Sequence, residues 1–224
     1  MAKKAVVLLS GGLDSATVLA EAKTQGCELY ALTVDYGQRH HREIDCAKAQ
    51  AKAQQVAEHR IVRLELPAKD SSVLTGPGDV PAYQPSSSIP PTYVPARNTI
   101  LLSLALSWAE SLGAEDIFIG ATSVDYSGYP DCRPAFIDAF QNLANLATKA
   151  AIQEGKSFRI HAPLLKLGKH QIIARATELA VDLAKTNSCY DPDDRGRACG
   201  RCDSCALRLK GFSGAGLTDP LEYA

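Results

Sequence analysis

Four of the seven cysteines lie close together near the C-terminus of the 224-residue chain. Cys199, Cys202 and Cys205 are spaced three residues apart, and Cys189 lies ten residues before them. Four thiolates suit tetrahedral zinc, and a site with four protein ligands is structural. An iron–sulfur cluster is the competing interpretation, but a ferredoxin string needs a further cysteine where this chain has Leu209. The pattern favours one structural zinc ion per chain.

A second group of residues could bind phosphate near the N-terminus. The apolar run 5–9 leads into the sequence SGGLDS at residues 10–15, and a helical pattern follows. Two adjacent glycines let the backbone approach an anion, and N–H groups at a helix start bind phosphate oxygens. The sequence is neither a Walker loop nor G-x-G-x-x-G. Asp14 is a candidate ligand for Mg²⁺ beside ATP; otherwise it only favours the helix dipole.

Short apolar runs alternate with helical patterns over the first 180 residues. Strands are predicted at 5–9, 29–34, 60–66, 117–119 and 159–162, and helices from about 10 to 24 and at 42–57, 98–112, 136–147 and 169–180. This alternation predicts a doubly wound α/β fold: a mostly parallel five-stranded sheet with helices on both faces. Ligands of such folds bind at the carboxyl ends of the strands. Residues 10–15 lie at such an end.

The chain is predicted to consist of an α/β domain, 1–185, and a small zinc-binding segment, 186–224. Inside the first, residues 67–95 contain seven of the twelve prolines, so they cannot form a helix or a central strand. A loop of this length is usually functional or disordered. A lid over the substrate is favoured over a floppy insertion, because Arg97 and Asn98 follow directly.

Composition argues against two classes of partner. Lys and Arg total 24 and Asp and Glu total 25, so there is no overall positive field to hold RNA or DNA, although a local patch stays open. No apolar run approaches the ~20 residues of a membrane span, and the N-terminus has no signal-cleavage site. We expect a cytoplasmic homodimer that acts on small molecules. Disulfides are rare in that compartment, which again favours a metal for the cysteines.

Four further strings narrow the function. They are DYGQRH at 35–40, YVPARN at 93–98, DYSGYPDCR at 125–133 and KTNSCY at 185–190. The loop at 10–15 resembles that of the N-type ATP pyrophosphatases, or PP-loop superfamily, which cleave ATP between the α and β phosphates and adenylate an oxygen. Together with the loop, the strings resemble the 7-cyano-7-deazaguanine synthase family over nearly the whole chain. Two positions depart from that family: Gly168 replaces an expected threonine, and 211–216 match loosely.

This resemblance implies a C–N bond-forming ligase that works in two stages. ATP adenylates the carboxylate of 7-carboxy-7-deazaguanine, and ammonia attacks to give the amide. A second ATP activates the amide oxygen, and loss of AMP leaves the nitrile, a precursor of queuosine. The alternative is a tRNA-modifying relative of the thiolation or lysidine type, which usually carries an RNA-binding domain or a basic face. A non-catalytic nucleotide-binding zinc module would leave string 125–133 unexplained.

Candidate residues for the guanine-like ring lie in string 125–133. The ring presents N1–H and an amine as adjacent donors, so a carboxylate is the natural acceptor, and Asp131 or Asp125 could supply it. Tyr126 and Tyr129 offer faces on which the ring could stack. The alternative for the tyrosines is ordinary packing, and for the carboxylates it is surface ion pairing.

Basic residues are candidates for the anionic groups. Arg97 and Arg133 could hold the 7-carboxylate or the α-phosphate, because a guanidinium fork suits planar anions. Lys169, near a helix start, could steady the leaving pyrophosphate. The adjacent His40 and His41 point in different directions and are interpreted as structural or peripheral.

The predicted site residues fall into four sets. The catalytic set is Arg97, Asp131 and Lys169. The substrate-binding set is Arg97, Asn98, Asp125, Tyr126, Tyr129, Asp131, Arg133 and Lys185. The ATP-binding set is Leu8, Leu9, Ser10, Gly11, Gly12, Leu13, Asp14, Ser15, Ala16, Thr17 and Val18. The metal ligands are Cys189, Cys199, Cys202 and Cys205.

Overall fold

A computed structural model describes residues 2–66, 69–85, 88–122 and 128–224. Its five strands form one parallel sheet in the order β3-β2-β1-β4-β5. The strands are β1 (Lys4–Leu8), β2 (Glu28–Asp35), β3 (Glu58–Arg63), β4 (Asp116–Phe118) and β5 (Arg159–His161). The described helices are α1 (Leu13–Thr24), α2 (Arg42–Ala53), α3 (Arg97–Leu112), α4 (Pro134–Ala147), α5 (Lys149–Glu154), α6 (Lys169–Glu178) and α7 (Asp203–Gly214). The predicted fold class is confirmed.

The central strand β1 is covered on both faces. Val7 and Leu9 lie in one buried core with residues of α1, α2, α6 and α7. Val6 and Leu8 lie in the other, with residues of α3, α4 and α5. Successive side chains of a strand point to opposite faces, so a strand buried on both faces requires a continuous apolar run. None of the helices in the described part of the chain is long and apolar enough to cross a membrane.

The third strand differs from the prediction, because it occupies 58–63 rather than 60–66. It lies at the edge of the sheet, where Ile61 is 39% exposed. Leu64 and Leu66, which suggested a longer strand, pack instead in a third apolar cluster beyond the sheet. Their apolar side chains therefore reflect packing in that cluster and not a longer strand.

This third cluster joins the proline-rich segment to the cysteine segment. The N–H of Tyr83 donates to the carbonyl of Arg201 at 2.8 Å, so the two segments are also linked through their backbones. The described part of the proline-rich segment therefore packs against the C-terminal segment. The buried members of the cluster are Leu66, Leu74, Val80, Val94, Cys189, Ala198, Cys202 and Cys205.

Candidate active site and metal centre

The loop between β1 and α1 depends on Gly11. This residue has a φ of +93°, in the left-handed region that favours glycine. A Cβ added here would lie 1.9 Å from the carbonyl oxygen of Glu43 and 2.6 Å from the nitrogen of Ala47. Helix α2 can therefore pack directly on the loop only because residue 11 has no side chain. Gly12 follows as the N-cap of α1 in an ordinary extended conformation.

Serine hydroxyls hold the N–H groups of the loop. Ser15 Oγ accepts from the N–H groups of Ser10 and Gly11, both at 3.2 Å. The N–H of Leu13 donates to Oγ of Ser188, which lies far away in the sequence, at 3.3 Å. These long bonds to neutral oxygens are weaker than those a charged phosphate would accept. The converging donors form a site suited to an anion.

Asp14 and Lys169 form an ion pair at the loop. Lys169 Nζ donates to both carboxylate oxygens of Asp14, at 2.9 and 2.7 Å. A Cβ on Gly211 would lie 2.5 Å from Cγ of Lys169, so α7 packs closely on the lysine side chain. Separate roles beside ATP were predicted for Asp14 and Lys169, and in the structure their side chains are in contact.

A cavity of about 230 Å³ opens beside the loop, at the carboxyl ends of β1, β2 and β4. This is the expected ligand position in a doubly wound sheet. Its polar lining includes Ser10, Asp14, Ser15, Thr33, Tyr36, Gln38, Arg39, His40, Glu43, Arg97, Asn98, Tyr129, Asn187, Ser188, Tyr190 and Ser204.

Opposite charges face each other in this cavity. Arg97 Nη1 donates to the hydroxyl of Tyr36 at 3.5 Å. Glu43, in the first turn of α2, has its pKa raised from 4.5 to about 7 by burial, against the opposing pull of Arg97 and a hydrogen bond from Gln38. The cavity therefore holds a permanent cation and a carboxyl group that titrates near neutral pH.

Strings 93–98 and 125–133 meet at the start of α3. Asp131 Oδ2 accepts from the N–H of Asn98 at 2.9 Å, and the Asn98 side chain donates to the carbonyl of Asp131 at 3.0 Å. Both residues are buried. A carboxylate here satisfies a free donor in the first turn of the helix and favours its dipole. Asp131 therefore caps α3, while Asn98 lines the cavity.

Tyr129 lines the cavity beside two residues of the proline-rich segment. Its hydroxyl lies 2.8 Å from Oγ1 of Thr92, and its ring centroid lies 6.0 Å from that of Tyr93. These contacts fix the ring at the cavity wall.

The four clustered cysteines fit a metal ion. Their sulfurs all lie within 4.8 Å of one another, and those of Cys199 and Cys205 are 3.9 Å apart, far beyond the ~2.05 Å of a disulfide bond. The N–H groups of Asp191 and Cys199 donate to Sγ of Cys189 at 3.3 and 3.2 Å, which suits a thiolate. Four convergent, largely buried sulfurs satisfy tetrahedral coordination.

The cysteine segment is tied both to the loop and to the C-terminal tail. The N–H of Asn187 donates to the carbonyl of Gly11 at 3.0 Å. Arg208 Nε of α7 lies 2.7 Å from Oδ2 of Asp219, with both side chains 3% exposed, and the Tyr223 hydroxyl donates to the same carboxylate at 2.7 Å. The segment thus forms one wall beside the loop at residues 10–15.

Comparison with known proteins identifies the family to which the chain belongs. The family described as queuosine biosynthesis protein QueC matches residues 4–216. The chain belongs to this family. It is 58% identical over 221 residues to the 7-cyano-7-deazaguanine synthase of Azotobacter vinelandii, covering 99% of this chain and 98% of that protein. It is 59% identical over 222 residues to the synthase of Stutzerimonas stutzeri, with 99% and 98% covered.

Solved structures support the fold of this QueC family member. The NMN synthetase of Francisella tularensis superposes with a TM-score of 0.53 at 14% identity, covering 97% of this chain and 79% of that one. A predicted subunit of tRNA methyltransferase from Methanocaldococcus jannaschii gives 0.50 at 16% identity, covering 79% and 75%. At such identities the likeness concerns the fold alone.

The predicted ATP-binding residues fall into two groups. Leu8, Leu9, Ser10, Gly12, Asp14 and Ser15 line the cavity. The others pack inward: Gly11 lies against α2, and the Thr17 hydroxyl donates to the carbonyl of Leu13 at 2.8 Å inside α1. Ala16 and Val18 belong to the core.

The predicted substrate-binding residues also divide. Arg97, Asn98 and Tyr129 line the cavity. Arg133 is exposed at the N-cap of α4, and Lys185 is exposed and pairs with Asp182 at 2.7 Å. Asp125 and Tyr126 lie outside the described residues.

Several cavity residues were missed from the sequence. His40, interpreted as structural or peripheral, lines the cavity. Glu43 was assigned to a surface helix, although it follows string 35–40 by only three residues, near the carboxyl end of β2. Proximity to a strand's carboxyl end could have identified it. The other missed polar residues are Thr33, Tyr36, Gln38, Arg39, Asn187, Ser188, Tyr190 and Ser204.

Proposed function

We propose that this chain uses ATP and ammonia to convert 7-carboxy-7-deazaguanine into 7-cyano-7-deazaguanine. The observation that carries the proposal is a single cavity that joins the anion-binding loop to Arg97, Asn98 and Tyr129. A carboxylate and the α-phosphate of ATP can meet only where both ligands share one space. Full-length relatives that are 7-cyano-7-deazaguanine synthases support the same chemistry.

The loop suits the pyrophosphate part of ATP. Its N–H groups and serine hydroxyls bind the β and γ phosphates, which leaves the α-phosphate facing the cavity. Mg²⁺, when bound, neutralises phosphate charge, and Asp14 is the carboxylate that would hold it. Lys169 then neutralises charge on the departing pyrophosphate. Before ATP binds, the ion pair between Asp14 and Lys169 keeps both side chains at the loop.

The rest of the cavity suits the base. Arg97 is placed to bind the 7-carboxylate, and Tyr129 offers a ring face to the deazaguanine. Asp131 and Asp125 stay the candidate acceptors for the N1–H and amino groups of the ring. Because one oxygen of Asp131 already caps α3, Asp125 is the stronger candidate of the two.

We assign a structural zinc ion to Cys189, Cys199, Cys202 and Cys205. A set of four thiolates leaves no position for water or substrate. Asn187 and Ser188, directly before the first ligand, contact the ATP loop. The ion thereby stabilises one wall of the site without entering the chemistry.

A tRNA-modifying reaction is the competing function. The formal net charge of −1 gives the chain no general attraction for RNA. We therefore include the absence of a nucleic-acid partner in the proposal.

The proposal can be tested by incubating the purified protein with Mg²⁺, ATP, ammonium and 7-carboxy-7-deazaguanine, followed by mass spectrometry. We expect AMP and pyrophosphate, with the base passing through the amide to the nitrile, and no amide without ammonium. Arg97→Gln should lower turnover about 30- to 150-fold, because a charge-assisted contact contributes about 2–3 kcal/mol. Arg175→Gln, on α6, is the matched control and should keep the activity. Recovery of the unchanged acid, together with thiolation or adenylation of tRNA, would contradict the proposal.

A further inference from the structure

Glu43 is among the ionisable side chains of the cavity that have no role in the scheme above. Glu43 projects from the first turn of α2 into the space shared by the loop and Arg97. The carbonyl oxygen of the same residue lies against Gly11, at the position that any larger residue 11 would fill. The backbone of Glu43 is therefore fixed relative to the pyrophosphate loop.

The side chain of Glu43 is also oriented. Gln38 Oε1 accepts from the N–H of Tyr36 at 2.9 Å, which leaves the Gln38 amide N–H groups to donate to the Glu43 carboxylate. Three other groups act on the carboxylate: Arg97, Asp35 at the end of β2, and the Tyr36 hydroxyl bonded to Arg97. The positive charge of Arg97 stabilises the ionised form of the Glu43 carboxyl group, whereas the negative charge of Asp35 destabilises it. The carboxylate is thus held by one amide and balanced between unlike charges.

Formation of the amide from ammonium calls for a proton acceptor beside the acyl adenylate. Ammonia is mostly protonated at neutral pH, and ammonium has no lone pair with which to attack. Removal of a proton from ammonium beside the acyl adenylate generates the nucleophile at the place where it is used. A side chain that titrates near pH 7 is best matched to this task. Among the described lining residues, the carboxylates are Asp14 and Glu43, and the proposed function assigns Asp14 to Mg²⁺.

We propose that Glu43 accepts the proton from ammonium in the amide-forming step, an inference that rests on the proposed function. Ammonium gives one proton to a Glu43 oxygen and keeps its electron pair. The nitrogen forms a bond to the acyl carbon, and the bond from that carbon to the AMP oxygen breaks, with its electron pair leaving on AMP. The attacking nitrogen releases a second proton to water, and Glu43 returns its own proton to water.

The test separates adenylation from attack by nitrogen. Acid-dependent exchange of labelled pyrophosphate into ATP, without ammonium, reports adenylation alone. In Glu43→Gln this exchange should stay within about 3-fold of wild type, while amide formation from ammonium falls about 10²- to 10⁴-fold. Hydroxylamine is a far weaker base than ammonia and is largely unprotonated at neutral pH. It should therefore form the hydroxamate in Glu43→Gln at close to the wild-type rate.

Two further variants keep the test decisive. Asp45→Asn removes a charge from the exposed side of the same helix and should change neither reaction. Glu43→Asp keeps a carboxylate one methylene short and should restore part of the ammonium reaction; it also serves if Glu43→Gln does not fold. Loss of exchange with a raised KM for the acid would assign Glu43 to ring binding and overturn the proposal. Unimpaired use of ammonium by Glu43→Gln would also overturn it. Failure of the wild type to exchange would refute the proposed function instead.

Discussion

The two ends of the candidate active site are built in different ways. At the loop end, backbone packing fixes the shape: β1 leads into the loop, α1 leaves it, and α2 presses on Gly11. At the cysteine end, residues 186–202 contain no helix or strand. Three of the four converging sulfurs belong to this stretch, and the fourth, of Cys205, belongs to α7. A shape made by packing is independent of any ion. A shape made by converging thiolates requires one, because packed thiolates repel each other without a cation.

The largest effect should come from removing one sulfur. Cys202 is fully buried in the cluster, and Cys202→Ser should reduce zinc from about one ion per chain to a small fraction. Loss of a structural metal should cost at least about 3 kcal/mol, or roughly 10 °C in Tm. Elemental analysis and thermal unfolding measure both quantities. Cys27→Ser, outside the cluster, is the control and should change neither. A brown protein that contains iron would refute the zinc assignment.

At the loop end, adjacent glycines should respond differently to the same methyl group. Gly11→Ala meets backbone atoms of α2 at a positive φ, so we expect a loss of about 3–5 kcal/mol in unfolding free energy. Gly12 has ordinary dihedral angles, and its Cβ would lie 3.2 Å from Oγ of Ser188, 3.5 Å from Oγ of Ser10 and 3.7 Å from the carbonyl oxygen of Asn187. Gly12→Ala should cost under about 1 kcal/mol but lower ATP-dependent turnover about 100-fold, because the methyl occupies phosphate space.

Denaturant unfolding and steady-state kinetics on both glycine variants distinguish these effects. Equal losses of stability in Gly11→Ala and Gly12→Ala would show that packing of α2 does not shape the loop. Normal turnover by a well-folded Gly12→Ala variant would remove the phosphate role.

The most gradual effect concerns pH. Because the pKa of Glu43 is raised from 4.5 to about 7, the folded state keeps a proton that the unfolded state has lost in this window. The unfolding free energy therefore falls as pH rises from 4.5 to 7, by about 3 kcal/mol in all. Glu43→Gln should match wild type near pH 4.5 and exceed its stability by up to that amount above pH 7. A stability difference that stays constant from pH 5 to 8 would show that Glu43 has an ordinary pKa.

The fold and the metal ligands were predictable because local signals determine them. The apolar run of β1 and the spacing of the cysteines each reflect one physical requirement, burial or coordination. The metal ligand set converges as predicted, while the identity of the ion stays a prediction. The third strand was predicted at 60–66 rather than 58–63 because Leu64 and Leu66 are apolar. These two side chains pack in the third apolar cluster, beyond the end of the strand.

The cavity was only partly predictable because tertiary contacts decide which polar side chains enter it. Arg97 and Tyr129 face the cavity, but Lys185 pairs at the surface and Asp131 caps a helix. Glu43 looked like one acidic residue among many in a polar helix. Its role depends on Gly11, 32 positions earlier, and no sequence pattern of α2 alone records that contact.

The contact between Ser188 and the loop also has a consequence for the order of synthesis. In the order of synthesis, Leu13 of the loop precedes Ser188 by 175 residues, and Cys205 follows Ser188. The tail that holds α7, through Asp219 and Tyr223, comes later still. A nascent chain therefore carries an incomplete candidate site until the segment that contains Ser188 and the four clustered cysteines has been synthesised.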